Sequence, residues 1–113
     1  MTDKQIGETL KDLGILPSYK GYNYIIDLVS MIQSNDLQIG FMSKVGYPKV
    51  ARKWGCTSES VERSCRNSIF TSYKRYGDVF YDVLRIRQRP SITKFVFTLA
   101  DYLSVSESKD LYS

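Results

Sequence analysis

The sequence contains no histidine and only two cysteines, and these shortages argue against several classes of chemistry. Histidine is the commonest general base in enzymes, and it shares most zinc sites with cysteine. Cys56 and Cys65 lie nine positions apart with no second cysteine pair, so we expect reduced thiols and no metal site. No glycine-rich phosphate loop or nucleophile elbow occurs either. We therefore expect no catalytic residues, no cofactor and no enzymatic activity.

Long apolar runs are also missing from the chain. No stretch approaches the roughly 20 apolar residues that a membrane-spanning helix needs, and residues 1–4 are polar, unlike the start of a signal peptide. We therefore expect a cytoplasmic protein with no membrane partner. The length of 113 residues fits one domain, residues 1–113, with a polar tail from about residue 104.

The charged residues are unevenly distributed along the chain. The net charge is +4, but the segment from Lys44 to Lys94 has twelve basic and four acidic residues, which gives +8. The rest of the chain has four basic and eight acidic residues, which gives −4. A cationic half is typical of a protein that binds a polyanion, although a solvated basic surface explains the charge alone equally well.

Apolar residues recur at helical spacing in most of the chain, and no long alternation of apolar and polar residues indicates a sheet. Glycine, proline and capping residues mark where the helices begin and end. We predict an all-α fold, a compact bundle of about six helices that contains a helix-turn-helix. The predicted helices cover residues 3–13, 21–34, 48–54, 58–76, 78–86 and 91–103, with one or two further helical turns within 37–45.

The middle of the chain has the pattern of a helix-turn-helix. Pro48 suits the first turn of a short helix because its missing N–H costs nothing there. Gly55 suits the left-handed position that follows such a helix, and Thr57 or Ser58 supplies an N-cap oxygen for the next one. Trp54, at the end of the short helix, is predicted to pack between the two helices of the motif.

The longer helix of this motif, residues 58–76, has two distinct faces when its residues are placed at about 100° intervals. Val61, Cys65 and Ile69 lie on the apolar face. The opposite face carries Glu59, Arg63, Arg66, Asn67 and Lys74. Arginine can pair with guanine, asparagine with adenine and glutamate with cytosine in the major groove. Periodicity alone, however, favours an ordinary surface helix with a charged face.

Three blocks of sequence add to this pattern: KGYNY at 20–24, SKVGYPKVARK at 43–53 and VERSCR at 61–66. In their order and spacing they resemble the C-terminal effector domain of the stage-zero sporulation transcription factor, the master response regulator of endospore formation. The resemblance extends over about residues 10–103, which is most of the chain.

The resemblance implies a helical fold that binds double-stranded DNA at short boxes with a TGTCGAA-like core, often as tandem dimers, and that activates or represses transcription. It implies base contacts from Glu62, Arg63, Arg66 and Asn67. It implies DNA backbone contacts from Lys44, Lys49, Arg52, Lys53, Ser58 and Ser60, and we assign Lys74 on the polar face the same role.

Three positions depart from the family's usual pattern. Ser60 replaces a usual arginine and Asn67 a usual histidine, so the base preference or the strength of readout is expected to differ. Phe70 replaces a usual acidic residue on the polar face. Two roles for Phe70 stay open, packing under the predicted helix 78–86 and contact with a second subunit.

Arg85, Arg87 and Arg89 form a basic run before Pro90. For any one of them a solvated loop residue is the simpler interpretation. As a group they belong to the cationic half of the chain, where contact with a nucleic-acid backbone is the alternative.

Members of this family carry an N-terminal receiver domain, for which these 113 residues leave no room. The chain is then either a segment of a longer regulator or a stand-alone relative, and the helix start within residues 1–9 favours the second. Our leading hypothesis is a sequence-specific transcriptional regulator that binds double-stranded DNA by direct contact in the major groove. A homodimer on tandem sites and contact with RNA polymerase stay open as further partners. The alternatives are a protein-interaction module that modulates a full-length regulator or RNA polymerase, and a sequence-neutral binder of nucleic acid.

Overall fold

Five α-helices and one π-helical turn form the regular structure of residues 2–112. The computed structural model describes the backbone of these residues and the side chains of residues 2–105. The elements are α1 (Asp3–Asp12), α2 (Gly21–Gln33), the π-helical turn (Met42–Gly46), α3 (Tyr47–Trp54), α4 (Ser58–Leu84) and α5 (Ile92–Tyr112). Residues 2–112 contain no β-strand, and the predicted all-α fold is confirmed.

Local sequence signals set the ends of the first two helices. The Thr2 hydroxyl accepts from the Gln5 backbone N–H, and the Gln5 side chain accepts from the Thr2 N–H, which is a complete capping box. Gly14 adopts a φ of 89° after α1, where the exposed ring of Tyr76 covers it and leaves no space for a Cβ atom. The predicted stop at Gly14 is thus confirmed.

Helix α2 lies at the centre of the bundle and packs against α1, α4 and α5. Leu28 and Val29 of α2 are fully buried. Phe80 of α4 and Phe95 of α5 are also fully buried, with ring centroids 5.5 Å apart. Burial of such large apolar side chains is the main force that holds the helices together.

Helix α4 covers the two helices that were predicted for residues 58–76 and 78–86. The predicted break appears as a kink, because Tyr76 has a φ of −128° and a ψ of 34° inside a helix that otherwise continues to Leu84. Arg85 then ends the helix in the left-handed conformation, with a φ of 58°. Gly77 weakens the helix next to the kink but does not stop it.

Two further boundaries differ from the prediction. The segment predicted within residues 37–45 forms the π-helical turn Met42–Gly46, in which the Gly46 N–H donates to the Phe41 carbonyl. Helix α5 was predicted to end at about Leu103, but its backbone stays helical to Tyr112. Residues 104–112 contain no glycine or proline that would end a helix. No helix of residues 2–112 is both long and apolar enough to cross a membrane.

Candidate nucleic-acid interface

The turn between α3 and α4 is built by its capping residues. Gly55 has a φ of 67°, and its N–H and that of Cys56 both donate to the Ala51 carbonyl. The Thr57 hydroxyl then caps α4 by accepting from the Ser60 N–H at 3.1 Å. A short helix, a glycine turn and a capped longer helix form the predicted helix-turn-helix.

The inner face of α4 is fixed by its contact with the start of α2. The Gly21 N–H donates to the buried Ser68 hydroxyl at 3.1 Å. A Cβ atom on Gly21 would lie 2.6 Å from the Ser64 carbonyl oxygen and 3.0 Å from the Cys65 Cα. Glycine therefore lets the two helices approach closely, and the small residues of α4 at this contact leave room for the backbone of α2.

The outer face of α4 carries the residues predicted to contact bases. Arg63, Arg66 and Asn67 are exposed, and Glu62 is half-buried beside them. One nitrogen of the Arg66 guanidinium lies 3.0 Å from the Glu62 carboxylate, so the two side chains form an ion pair across one turn of the helix. The structure thus brings all four predicted base-contact residues to one side of the helix.

The residues predicted to contact the DNA backbone lie around this face. Lys44 of the π-helical turn, Lys49 and Arg52 of α3, and Lys74 of α4 are exposed. In the part of the chain that the structure describes, none of these four forms an ion pair. Ser58 and Ser60 are half-buried in the first turn of α4.

Lys53 differs from the other predicted backbone contacts, because its ammonium group lies 2.7 Å from the Asp27 carboxylate of α2. Asp27 also accepts from the Trp54 indole N–H at 2.6 Å. One largely buried carboxylate therefore holds the end of α3 against α2 through two neighbouring residues. Asp27 was not predicted from the sequence, although an acidic residue within the apolar stripe of α2 is a visible signal.

A comparison with protein families matches residues 6–103 to the family described as the sporulation initiation factor Spo0A C terminal. The chain belongs to this family. The resemblance stated from the three sequence blocks is thus confirmed over most of the chain. The Spo0A C-terminal family is one of DNA-binding transcription factors and not of enzymes, which agrees with DNA-binding regulation as the general role of the chain.

In this Spo0A-type domain Trp54 lies elsewhere than predicted, and one of the two roles left open for Phe70 is excluded. Trp54 does not pack between α3 and α4; it is 45% exposed and meets the Tyr24 ring of α2 edge to face, at 6.1 Å between centroids. The hydrogen bond to Asp27 turns the indole toward α2. Phe70 does not pack under the second half of α4; it is exposed and lies against Arg89 in the loop before α5.

A groove of about 730 Å³ runs along one flank of α4, beside the residues at the start of α2. Lys20 and Arg75 line it together with the predicted base-contact residues Arg63 and Asn67. Neither Lys20 nor Arg75 was predicted from the sequence as a contact residue, because their positions beside the groove depend on how α2 packs on α4. The groove adds two cations to one flank of the Spo0A-type surface.

Burial raises the pKa of two groups, one on the inner face of α4 and one at the start of α3. It raises the pKa of the Cys65 thiol to about 12, and the charge of Glu62 adds to this shift. Burial also raises the pKa of the Tyr47 hydroxyl to about 12, with smaller effects from Cys65 and Glu62. Both groups stay neutral at ordinary pH. Cys65 is fully buried, which confirms its predicted place on the apolar face of the helix.

Proposed function

We propose that the chain is a sequence-specific regulator of transcription that binds double-stranded DNA with the first half of α4 in the major groove. The observation that carries this proposal is the division of α4 into two faces. Ser68 and Cys65 fix the inner face against α2, while Arg63 and Arg66 project from the opposite, exposed face. A recognition helix needs both properties, because it must be held rigidly and must still reach the base edges.

The chemistry of the outer face suits base readout. A guanidinium can donate two parallel hydrogen bonds to guanine, and an asparagine amide can both donate to and accept from adenine. The ion pair with Glu62 restricts the rotamers of Arg66 before any DNA is bound, which lowers the entropy lost on binding. These features support base contacts from Glu62, Arg63, Arg66 and Asn67.

The surrounding cations suit contact with phosphates. Lys44, Lys49, Arg52 and Lys74 are exposed without ion pairs among the described residues. Ser58 and Ser60 lie at the start of α4, where the helix dipole favours an anion. We assign these residues to the DNA backbone. Lys53 joins them only when it leaves Asp27, so its contribution is expected to be smaller.

The first test is binding of the whole chain to two duplexes, one with and one without a TGTCGAA-like box, each at two salt concentrations. Preference for the box, with affinity that falls as salt rises, would support direct readout together with phosphate contacts. Equal binding to both duplexes would refute specificity for this box and call for selection from a random library. Failure to bind either duplex would favour the protein-interaction module.

A pair of variants separates readout from phosphate contact. Arg66→Ala is expected to weaken binding to the preferred duplex by about 1–3 kcal/mol and to reduce the preference over random DNA. Lys49→Ala is expected to weaken both duplexes alike and to lower the salt dependence. Lys4→Ala, on α1, serves as the control for loss of one exposed charge. Equal losses on both duplexes from Arg66→Ala would contradict its role in base contact.

We further propose that the chain self-associates on tandem sites and contacts RNA polymerase, as the resemblance to this family suggests. Sedimentation of the chain with duplexes that carry one or two boxes would show whether a second copy binds cooperatively. Pull-down of purified RNA polymerase, with and without DNA, would test the second contact. A cytoplasmic location stays a prediction, and it fits a protein that acts on bacterial DNA.

A further inference from the structure

The loop between α4 and α5 presents three arginines in a fixed conformation. We call residues 85–89 the arginine loop. It begins with Arg85 in the left-handed conformation, with a φ of 58°, and Ile86 follows as a core residue that is only 5% exposed. The Tyr73 hydroxyl donates to the Arg87 carbonyl at 3.1 Å. Both contacts attach the loop to the body of the domain, so its arginines are held in place.

Aromatic rings orient the guanidinium groups of this loop. Arg85 and Arg87 each lie 5.5 Å from the centre of the Tyr81 ring. Arg89 lies 4.6 Å from the centre of the Phe70 ring, and the Lys74 ammonium group lies 5.6 Å from the same ring. A ring face attracts a cation without neutralising it. Each of the two rings therefore holds two positive charges that stay available to an anion.

These cations form no ion pair among the described residues, although Asp78 lines one groove together with Lys74 and Arg87. Ion pairs there involve Lys53 and Arg66, but not Lys74 or the three loop arginines. Four neighbouring cations repel one another, and such an arrangement is stabilised when an anion binds between them. The charge pattern therefore fits a polyanion better than it fits an isolated solvated loop.

The arginine loop is continuous with the outer face of α4. Arg89 lines one groove of about 400 Å³ together with Glu62, Arg66 and Phe70. At the helical rise of about 1.5 Å per residue, Phe70 lies about 10 Å further along α4 than Arg63. The N-terminal part of a recognition helix contacts the bases, and its C-terminal end can contact the DNA backbone. With Arg63 and Arg66 among the bases, Phe70 and Arg89 would therefore lie toward the phosphates.

We propose that the arginine loop and Lys74 form a second phosphate-binding element, which holds the DNA strand at the point where α4 leaves the major groove. This inference rests on the proposed function. The Phe70 ring, whose centre lies 4.6 Å from the Arg89 guanidinium, would direct this side chain toward the strand. Planar guanidinium groups suit this role, because they form paired hydrogen bonds with phosphate oxygens.

The test compares the salt dependence of DNA binding in two variants with equal loss of charge. Arg87→Gln/Arg89→Gln removes two loop cations and leaves the Arg87 carbonyl in place for Tyr73. Lys4→Gln/Lys11→Gln removes two exposed cations from α1. Each lost phosphate contact should reduce the slope of log affinity against log salt by about 0.9. We expect a reduction of about one to two in the loop variant, equal on both duplexes, and little change in the control.

The parental chain is measured first, so that two kinds of failure are distinguished. If the parental chain binds no duplex, the proposed function fails and this inference fails with it. If the parental chain binds and the loop variant keeps the parental slope, this inference alone is overturned, and an acidic protein surface becomes the better partner for the loop. A loss of slope as large in the control variant would also overturn it. Circular dichroism of each variant verifies that the fold is intact.

Discussion

A single methyl group at Gly21 should disturb the position of α4. In Gly21→Ala the new Cβ would lie 2.6 Å from the Ser64 carbonyl oxygen, 2.6 Å from the Ser68 hydroxyl and 3.0 Å from the Cys65 Cα. Two of these three atoms belong to the backbone, so no change of side-chain rotamer can relieve the overlap. Helices α2 and α4 would have to separate by about 1 Å to restore ordinary contact distances.

The expected loss of stability in Gly21→Ala combines two unfavourable contributions with one favourable contribution. Overpacking of a close helix contact costs about 1–3 kcal/mol, and weakening of the Gly21–Ser68 hydrogen bond adds about 1 kcal/mol. Alanine is favoured over glycine in a helix by up to about 1 kcal/mol. We therefore expect Gly21→Ala to lower the free energy of unfolding by about 1–3 kcal/mol.

Gly77→Ala provides a matched control within the same fold. Gly77 lies inside α4, and the atom nearest to an added methyl group, in the Tyr73 ring, would be 3.6 Å away. This substitution should leave stability unchanged or raise it by up to about 1 kcal/mol. Urea unfolding monitored by circular dichroism measures both variants, with equal m-values as the condition for comparison. If Gly21→Ala has the same free energy of unfolding as Gly77→Ala, the close contact of α2 with α4 does not contribute to stability in this way.

Three further predictions concern buried thiols and the Asp27 contacts. Because burial raises the pKa of Cys65 from 9.0 to about 12, the unfolded chain loses this proton first as pH rises. The free energy of unfolding should then fall between about pH 9 and 12, by up to about 1.4 kcal/mol per pH unit. Cys65→Ala should fall less steeply in the same titration, and an equal slope would contradict the assignment. In the folded chain a thiol reagent should label the half-buried Cys56 well before Cys65, and mass spectrometry showing equal rates would refute this order. Asp27→Asn keeps an acceptor for the Trp54 indole but releases the Lys53 ammonium group. If Lys53 then reaches a phosphate, duplex affinity at low salt should rise, and the slope of log affinity against log salt should steepen by about 0.9. An unchanged slope would exclude that contact.

The helices and the motif could be predicted from the sequence because their signals are local. Pro48, Gly55 and Thr57 act within one or two turns of their own positions, and the structure confirms each of them. The two faces of α4 follow from helical spacing, and the buried Val61 and Cys65 agree with it. The break at residues 76–77 was also visible, although the structure has a kink there in place of a loop.

The remaining features depend on contacts between distant parts of the chain. Nothing near Trp54 indicates that its indole meets Asp27, which lies 27 positions earlier. In the same way, the place of Phe70 against Arg89 depends on the left-handed turn at Arg85, and an arginine in that conformation is uncommon. Local patterns therefore predict which residues face outward, and only the packing shows which of their charges already have partners.

The division of α4 into a fixed side and a free side also bears on how binding preference can change. Gly21 and Ser68 determine how the helix is seated, and neither belongs to the exposed set of Arg63, Arg66 and Asn67. Surface substitutions away from packed contacts usually alter stability by less than about 0.5 kcal/mol. Under the proposed function, substitutions at these three exposed positions should therefore change the preferred target sequence while the fold is retained, which makes this domain a suitable scaffold for redesigned DNA specificity.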